Sequence, residues 1–203
     1  MTKIKLCGLS RVCDIEWANR LKPEYIGFVF APKSRRYISR ERAAELKGKL
    51  DPEIKAVGVF VNEDPEAVLD LLKDGIIDIA QLHGSETEDY IRQLRMGTDK
   101  QIIKAVRIDT PQDVIAAQSS SADYILLDSG SGGTGKVFDW ELIRQIGRPY
   151  FLAGGLSPHN AAHALSMLNP YAVDVSSGIE TDGQKDPEKM QEFVTIIRKE
   201  EAK

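Results

Sequence analysis

Eight apolar, β-branched runs recur along this 203-residue chain: IKLC, YIGFVF, AVGVFV, IDIAQL, IIKAV, YILL, YFLA and YAVDV. Each has the length of a strand and is apolar on both faces, as in a sheet that is covered rather than half-solvated. Between them lie segments with helical caps and helical spacing. A strand followed by a helix, eight times over, predicts an α/β fold built on a parallel sheet.

The helix signals are local. Residues 11–21 place Ile15, Ala18 and Leu21 on one face, and Pro23 follows. Ser39 is placed to cap a helix that turns Ala43, Ala44 and Leu46 inward and stops at Gly48. The clearest start is Asp64-Pro65-Glu66, a capping residue, a proline at the first helical position and an acid in the first turn, ahead of Val68, Leu69, Leu71 and Leu72. Residues 85–96 carry Tyr90, Ile91 and Leu94 on one stripe, and Thr110-Pro111 opens a helix through Val114, Ile115 and Ala117. A short helix at 140–146 and longer ones at 157–168 and 186–199 complete the pattern.

Two architectures satisfy such a chain, an open doubly wound sheet or a closed (β/α)8 TIM barrel. An open sheet for a dinucleotide would carry G-x-G-x-x-G after the first strand, and Cys7-Gly8-Leu9-Ser10-Arg11 does not. Eight units favour closure. Such barrels run to about 250 residues, with about 200 as the lower end, so residues 1–203 are expected to form a single barrel domain. No Gly/Ser-rich linker marks a second one.

Charge and cysteine content narrow the function classes. A net charge of -4 gives no basic footprint for a nucleic-acid backbone. No run reaches the length of a membrane span, and the first residues lead into a charged strand rather than a signal sequence. Two cysteines make neither a disulfide framework nor a paired metal pattern. A cytoplasmic protein is expected.

In a barrel of this kind the ligand sits at the carboxyl ends of the strands. The first strand ends in Cys7 before Gly8, where the thiol either faces the site or fills the core as a small hydrophobe. The second gives Lys33, Arg35 and Arg36, of which Arg36 suits bidentate recognition of a carboxylate unless the cluster is merely solvated. The fourth gives Gln81 and His83, and His83 is either a structural histidine or an acid or base. The sixth gives Asp128, a carboxyl at the mouth placed for proton donation. A base at Cys7 would need its pKa lowered, because only the thiolate takes a proton.

The seventh and eighth strands end in Gly154-Gly155 and Ser176-Ser177-Gly178, a pairing of small residues suited to a phosphate. The glycine-rich segment 129–137 is either a lid or a long turn.

Taken together, KLCGL at Lys5, GFVFAPKSRRYIS at Gly27, VGVFVN at Val57, QLHG at Gln81, LLDSGSGGTGKVFDW at Leu126, LAGGLSPHN at Leu152 and VDVSSGIE at Val173 resemble the phosphoribosylanthranilate isomerases of tryptophan biosynthesis. The resemblance spans nearly the whole chain, in the family's order. It implies a TIM barrel of the ribulose-phosphate-binding type and an Amadori rearrangement of an aldose to a ketose, with no metal or organic cofactor. Carried over by position, it implies Cys7 as general base, Asp128 as general acid and Arg36 as the holder of the anthranilate carboxylate. Gly155 and Ser177 lie in the motifs with which the family binds the phosphate, beside Gly154, Ser176 and Gly178, and Asp174 looks like a substrate hydroxyl partner unless that carboxylate is satisfied within the barrel. The partner implied is a small phosphosugar, and the assembly a monomer or a homodimer. Ala161 stands where a valine is usual, a packing change only.

Overall fold

The alternation of strand and helix resolves into a closed ring of eight parallel strands, seen in a computed structural model that describes residues 1–128, 140–144 and 146–200. The first half runs β1 (Lys3–Cys7), α1 (Val12–Leu21), β2 (Tyr25–Val29), α2 (Arg40–Lys47), β3 (Lys55–Phe60), α3 (Pro65–Lys73), β4 (Ile79–Leu82) and α4 (Glu88–Gly97). The second runs β5 (Ile102–Arg107), α5 (Pro111–Ser119), β6 (Tyr124–Asp128), β7 (Tyr150–Leu152), α6 (Pro158–Met167), β8 (Ala172–Val175) and α7 (Pro187–Glu200). A small hairpin of β9 (Glu180–Thr181) and β10 (Gln184–Lys185) lies between β8 and α7. Closure is made by β8 against β1, with Lys5 beside Asp174 and Leu6 beside Val175.

The two-residue period of each strand sorts its side chains. Ile4, Leu6, Ile26 and Phe28 point outward into the layer between sheet and helices. Tyr25, Val57, Ile79, Ile103, Leu126 and Phe151 point inward and fill the lower barrel, while Cys7, Val29 and Val59 form a smaller layer above. Phe151 is wholly buried, its ring 5.5 Å from that of Tyr25 and 5.6 Å from that of Tyr124. Phe151→Ala should therefore cost about 3–5 kcal/mol, since the ring of strands cannot collapse into the space. Urea unfolding at equilibrium checks this.

The caps behave largely as expected. Ser39 accepts from the Arg42 amide at 3.2 Å, and Asp64 from the Glu66 amide at 2.8 Å. Helix α4 starts after Thr87 rather than at Ser85. The reason is Glu86, whose buried carboxylate accepts from the Asn62 and Gly84 amides and from Lys104, and so ties the turn to β3 and β5. Ala44, expected inward, is exposed, as is Ile115 in the helix after β5. Each sits next to a buried residue, and a turn of about 100° per residue carries it off the inner face.

After β6 the expected 140–146 helix is a single 3-10 turn, Trp140–Ile143, whose i, i+3 spacing buries both end residues together. The glycine-rich segment 129–137 lies outside the described residues.

Candidate active site

Cys7 occupies the last place of β1, and Gly8 turns the chain with φ +81. A Cβ on Gly8 would stand 2.5 Å from Cδ of Arg36, so the glycine also lets the arginine stem lie across the strand end. Opposite Cys7 in register is Gly27, where a Cβ would meet the sulfur at 2.6 Å. The thiol fills the space that Gly27 leaves, packs against Val29 and Val59, and still faces the mouth of the barrel. Both readings of Cys7 thus hold in part.

Asp128 ends β6 and lies with its Oδ2 3.2 Å from Nε2 of His83. Nδ1 of His83 is 2.9 Å from Nε2 of Gln81. The Gln81 amide can only donate through that nitrogen, so this orientation pairs with the tautomer that carries its proton on Nε2, the nitrogen facing Asp128. The network leaves Oδ1 of Asp128 free of the histidine. His83, ambiguous in the sequence, is part of the site wall.

Arg36 donates from Nε to Oε1 of Glu180 at 2.6 Å and from Nη2 to Oε2 at 2.9 Å. Lys185 reaches the same carboxylate at 2.6 Å and the Ser176 carbonyl at 2.9 Å. The Ser176 hydroxyl in turn donates to the Cys7 carbonyl at 3.1 Å, so it is engaged within the protein. Neither Glu180 nor Lys185 was signalled by the sequence, because both lie beyond the strand ends in a hairpin.

Burial alone would raise the Glu180 pKa, but the hydrogen bonds from Arg36 and Lys185 hold it down at about 2. That is below the ordinary value of about 4.3. A carboxylate depressed in the folded state stabilises fully above its unfolded pKa, and the contribution is lost as pH falls through the folded one. Wild-type stability should thus drop more steeply than that of Glu180→Gln between about pH 5 and about pH 2, measured as urea midpoints.

Gly154 and Gly155, at φ +80 and +67, expose their backbone to the cavity beside Ser177. Gly178 is set back from the wall. A Cβ there would stand 1.9 Å from the Leu156 carbonyl oxygen, so this glycine lets the loops after β7 and β8 touch. Asp174 lines the cavity, and its Oδ1 takes Nζ of Lys5 at 2.9 Å. Lys5 is wholly buried on the inner face of β1, two residues before Cys7.

These groups enclose a cavity of about 660 Å³, the size of a small-molecule site. Cys7, Arg36, His83, Asp128, Gly155 and Asp174 all contribute to its wall. The electrostatics of the thiol correct one expectation. Burial pushes the Cys7 pKa up, the Asp174 carboxylate adds to that, and Lys5 and Lys185 pull it back only in part. The resting group is a thiol, with two ammonium groups waiting for its charge.

Comparison with known proteins identifies the relatives of this barrel. Residues 4–196 match the family model described as N-(5'-phosphoribosyl)anthranilate (PRA) isomerase. An N-(5'-phosphoribosyl)anthranilate isomerase of Endomicrobium trichonymphae is 46% identical over 202 residues, covering 98% of this chain and 99% of that protein. The crystal structure of phosphoribosyl anthranilate isomerase from Thermotoga maritima superposes with a TM-score of 0.90 at 38% identity, over 98% of this chain and 100% of that one. A phosphoribosyl anthranilate isomerase in complex with reduced 1-(o-carboxyphenylamino)-1-deoxyribulose 5-phosphate gives a TM-score of 0.88 at 36% identity, with coverage of 98% and 100%. With matches of this extent on a closed (β/α)8 barrel, the chain belongs to the N-(5'-phosphoribosyl)anthranilate isomerase family.

Proposed function

We propose that this chain converts N-(5'-phosphoribosyl)anthranilate to 1-(2-carboxyphenylamino)-1-deoxyribulose 5-phosphate, the third step from chorismate to tryptophan. The observation that carries this is the presence of Cys7 and Asp128 on the wall of one cavity, which Arg36 and two glycine-and-serine loops also line. Such a cavity suits a substrate with a carboxylate at one end and a phosphate at the other.

The chemistry needs one acid and one base. Asp128 protonates the furanose ring oxygen and the ring opens to an iminium ion. His83 occupies Oδ2 of that carboxyl, which leaves Oδ1 to carry the transferred proton. The Cys7 thiolate then removes the proton from the sugar C2, and the enolamine tautomerises to the ketone. Arg36 holds the anthranilate carboxylate, Gly154, Gly155, Ser176 and Ser177 receive the phosphate, with Gly178 letting their two loops meet, and Asp174 takes a sugar hydroxyl. Asp128 and Cys7 supply both proton transfers and no step exchanges electrons with a second reactant, so the proposed steps use no organic cofactor or metal.

The protein acts as a single barrel domain over residues 1–203, as a monomer or homodimer in the cytoplasm, on a small phosphosugar and without nucleic acid or membrane. No helix among the described residues is long and apolar enough to cross a membrane. The test is to incubate purified protein with the phosphoribosyl anthranilate and follow the loss of its fluorescence. Turnover that survives a chelator is expected. Binding without turnover would leave a phosphosugar-binding module instead.

A further inference from the structure

Glu180 takes no part in the steps above, yet four charged donor contacts from three side chains converge on its two oxygens. They are Nε and Nη2 of Arg36, Nη2 of Arg35 at 2.7 Å, and Nζ of Lys185. The Glu180 side chain is only 4% exposed, and that of Lys185 2%. A planar guanidinium offers two edges for bidentate pairing. Glu180 occupies the edge made by Nε and Nη2, so a ligand carboxylate is met by the edge made by Nη1 and the remaining Nη2 hydrogen.

The geometry points to Glu180 as a positioning residue for the carboxylate end of the substrate: it fixes which edge of Arg36 faces the cavity, and Lys185 anchors it to the Ser176 loop. This rests on the assignment of Arg36 as the carboxylate holder. The anchor has a definite path. Lys185 joins Glu180 to the Ser176 carbonyl, and the Ser176 hydroxyl joins that loop to the Cys7 carbonyl. The carboxylate anchor, the phosphate loop and the strand end that carries the base are therefore held in one register.

Charge and position predict opposite signs, which makes the inference testable. Glu180 is an anion close to where an anionic ligand group would bind, so a purely Coulombic role predicts that its removal tightens binding. A positioning role predicts the reverse. Without Glu180 the arginine stem is free to turn, and the ligand must order it again.

The probes are reduced 1-(o-carboxyphenylamino)-1-deoxyribulose 5-phosphate and the same molecule without the ring carboxyl, with Kd measured for each by calorimetry. Wild type should prefer the carboxylated ligand. Glu180→Ala should cut that preference at least about fivefold and change the Kd of the decarboxylated ligand less than about twofold. Steady-state turnover should show the same split, with KM raised and kcat changed less. Glu180→Gln keeps the volume and one acceptor, should shift the preference in the same direction by a smaller factor, and serves if the alanine variant does not fold. Equal weakening of both ligands would make Glu180 merely structural and overturn the inference. An unchanged or increased preference would overturn it too. A wild type that shows no preference for the carboxylate would overturn the Arg36 assignment and this inference with it.

Discussion

Cys7→Ser and Asp128→Asn should each lower kcat by at least about 10² to 10⁴, the range set by loss of a general acid or base. The serine hydroxyl keeps the size of the thiol within the space left by Gly27, so the barrel should not notice the change. The chemistry should, because an alkoxide is far harder to form than a thiolate. The amide introduced by Asp128→Asn would keep a hydrogen-bond partner for His83 while having no proton to give the ring oxygen. Affinity for the reduced product analogue should stay within about tenfold, or about 1.4 kcal/mol, since neither substitution touches Arg36 or the phosphate loops. Because burial pushes the Cys7 pKa up, its basic form is scarce at neutral pH, and wild-type kcat/KM should climb as pH rises from neutral. A folded Cys7→Ser variant with near wild-type turnover would return Cys7 to the role of a small core residue.

Much of this site could be read from the sequence because strand length fixes it. Asp128 follows a four-residue apolar run, so it falls at the mouth of the barrel by counting alone. Cys7 before a glycine is placed in the same way. What no local pattern gives is the pairing made by closure. Arg36 and Glu180 are 144 residues apart, and Lys5 and Asp174 169. They meet only because β8 closes against β1 in a register that sets Lys5 beside Asp174. The period of two did hold a hint, since it puts Lys5 on the same inner face as Cys7, but a lysine inside a barrel contradicts every composition rule unless its partner is known. The direction of the thiol shift was equally hidden. The needs of catalysis suggested a lowered pKa, whereas the packing of Val29 and Val59 around the sulfur keeps water out and raises it.

Lys5→Met should destabilise the protein by about 3–5 kcal/mol, the cost of leaving one member of a buried ion pair alone. Lys5 has no exposed surface and Asp174 only a sliver at the cavity wall, so the pair is largely shut off from water. Burial would lower the Lys5 pKa, but Asp174 and Cys7 beside it overcome that and raise it, so the ammonium form persists in the folded protein. Methionine has nearly the same length and fills the space, which isolates the effect of charge. The double variant Lys5→Met/Asp174→Leu should recover most of the lost stability, because replacing a buried pair by apolar groups is often neutral or better. It should not recover activity. Lys5 is the cation that acts most strongly on the Cys7 sulfur, so in Lys5→Met the thiolate loses its counter-charge, turnover at neutral pH should fall and the rise of kcat/KM should move to higher pH. In the double variant the loss of Asp174, whose charge pushes the thiol up, offsets part of that move, while the lost contact to the sugar hydroxyl keeps turnover low. Equilibrium urea unfolding orders the three proteins, and pH–rate profiles separate catalysis from folding. A Lys5→Met protein as stable as wild type would mean that Asp174 finds water or a proton at the cavity wall. A double variant no more stable than Lys5→Met would show that the pair supports the closure of β8 on β1 by more than its charge.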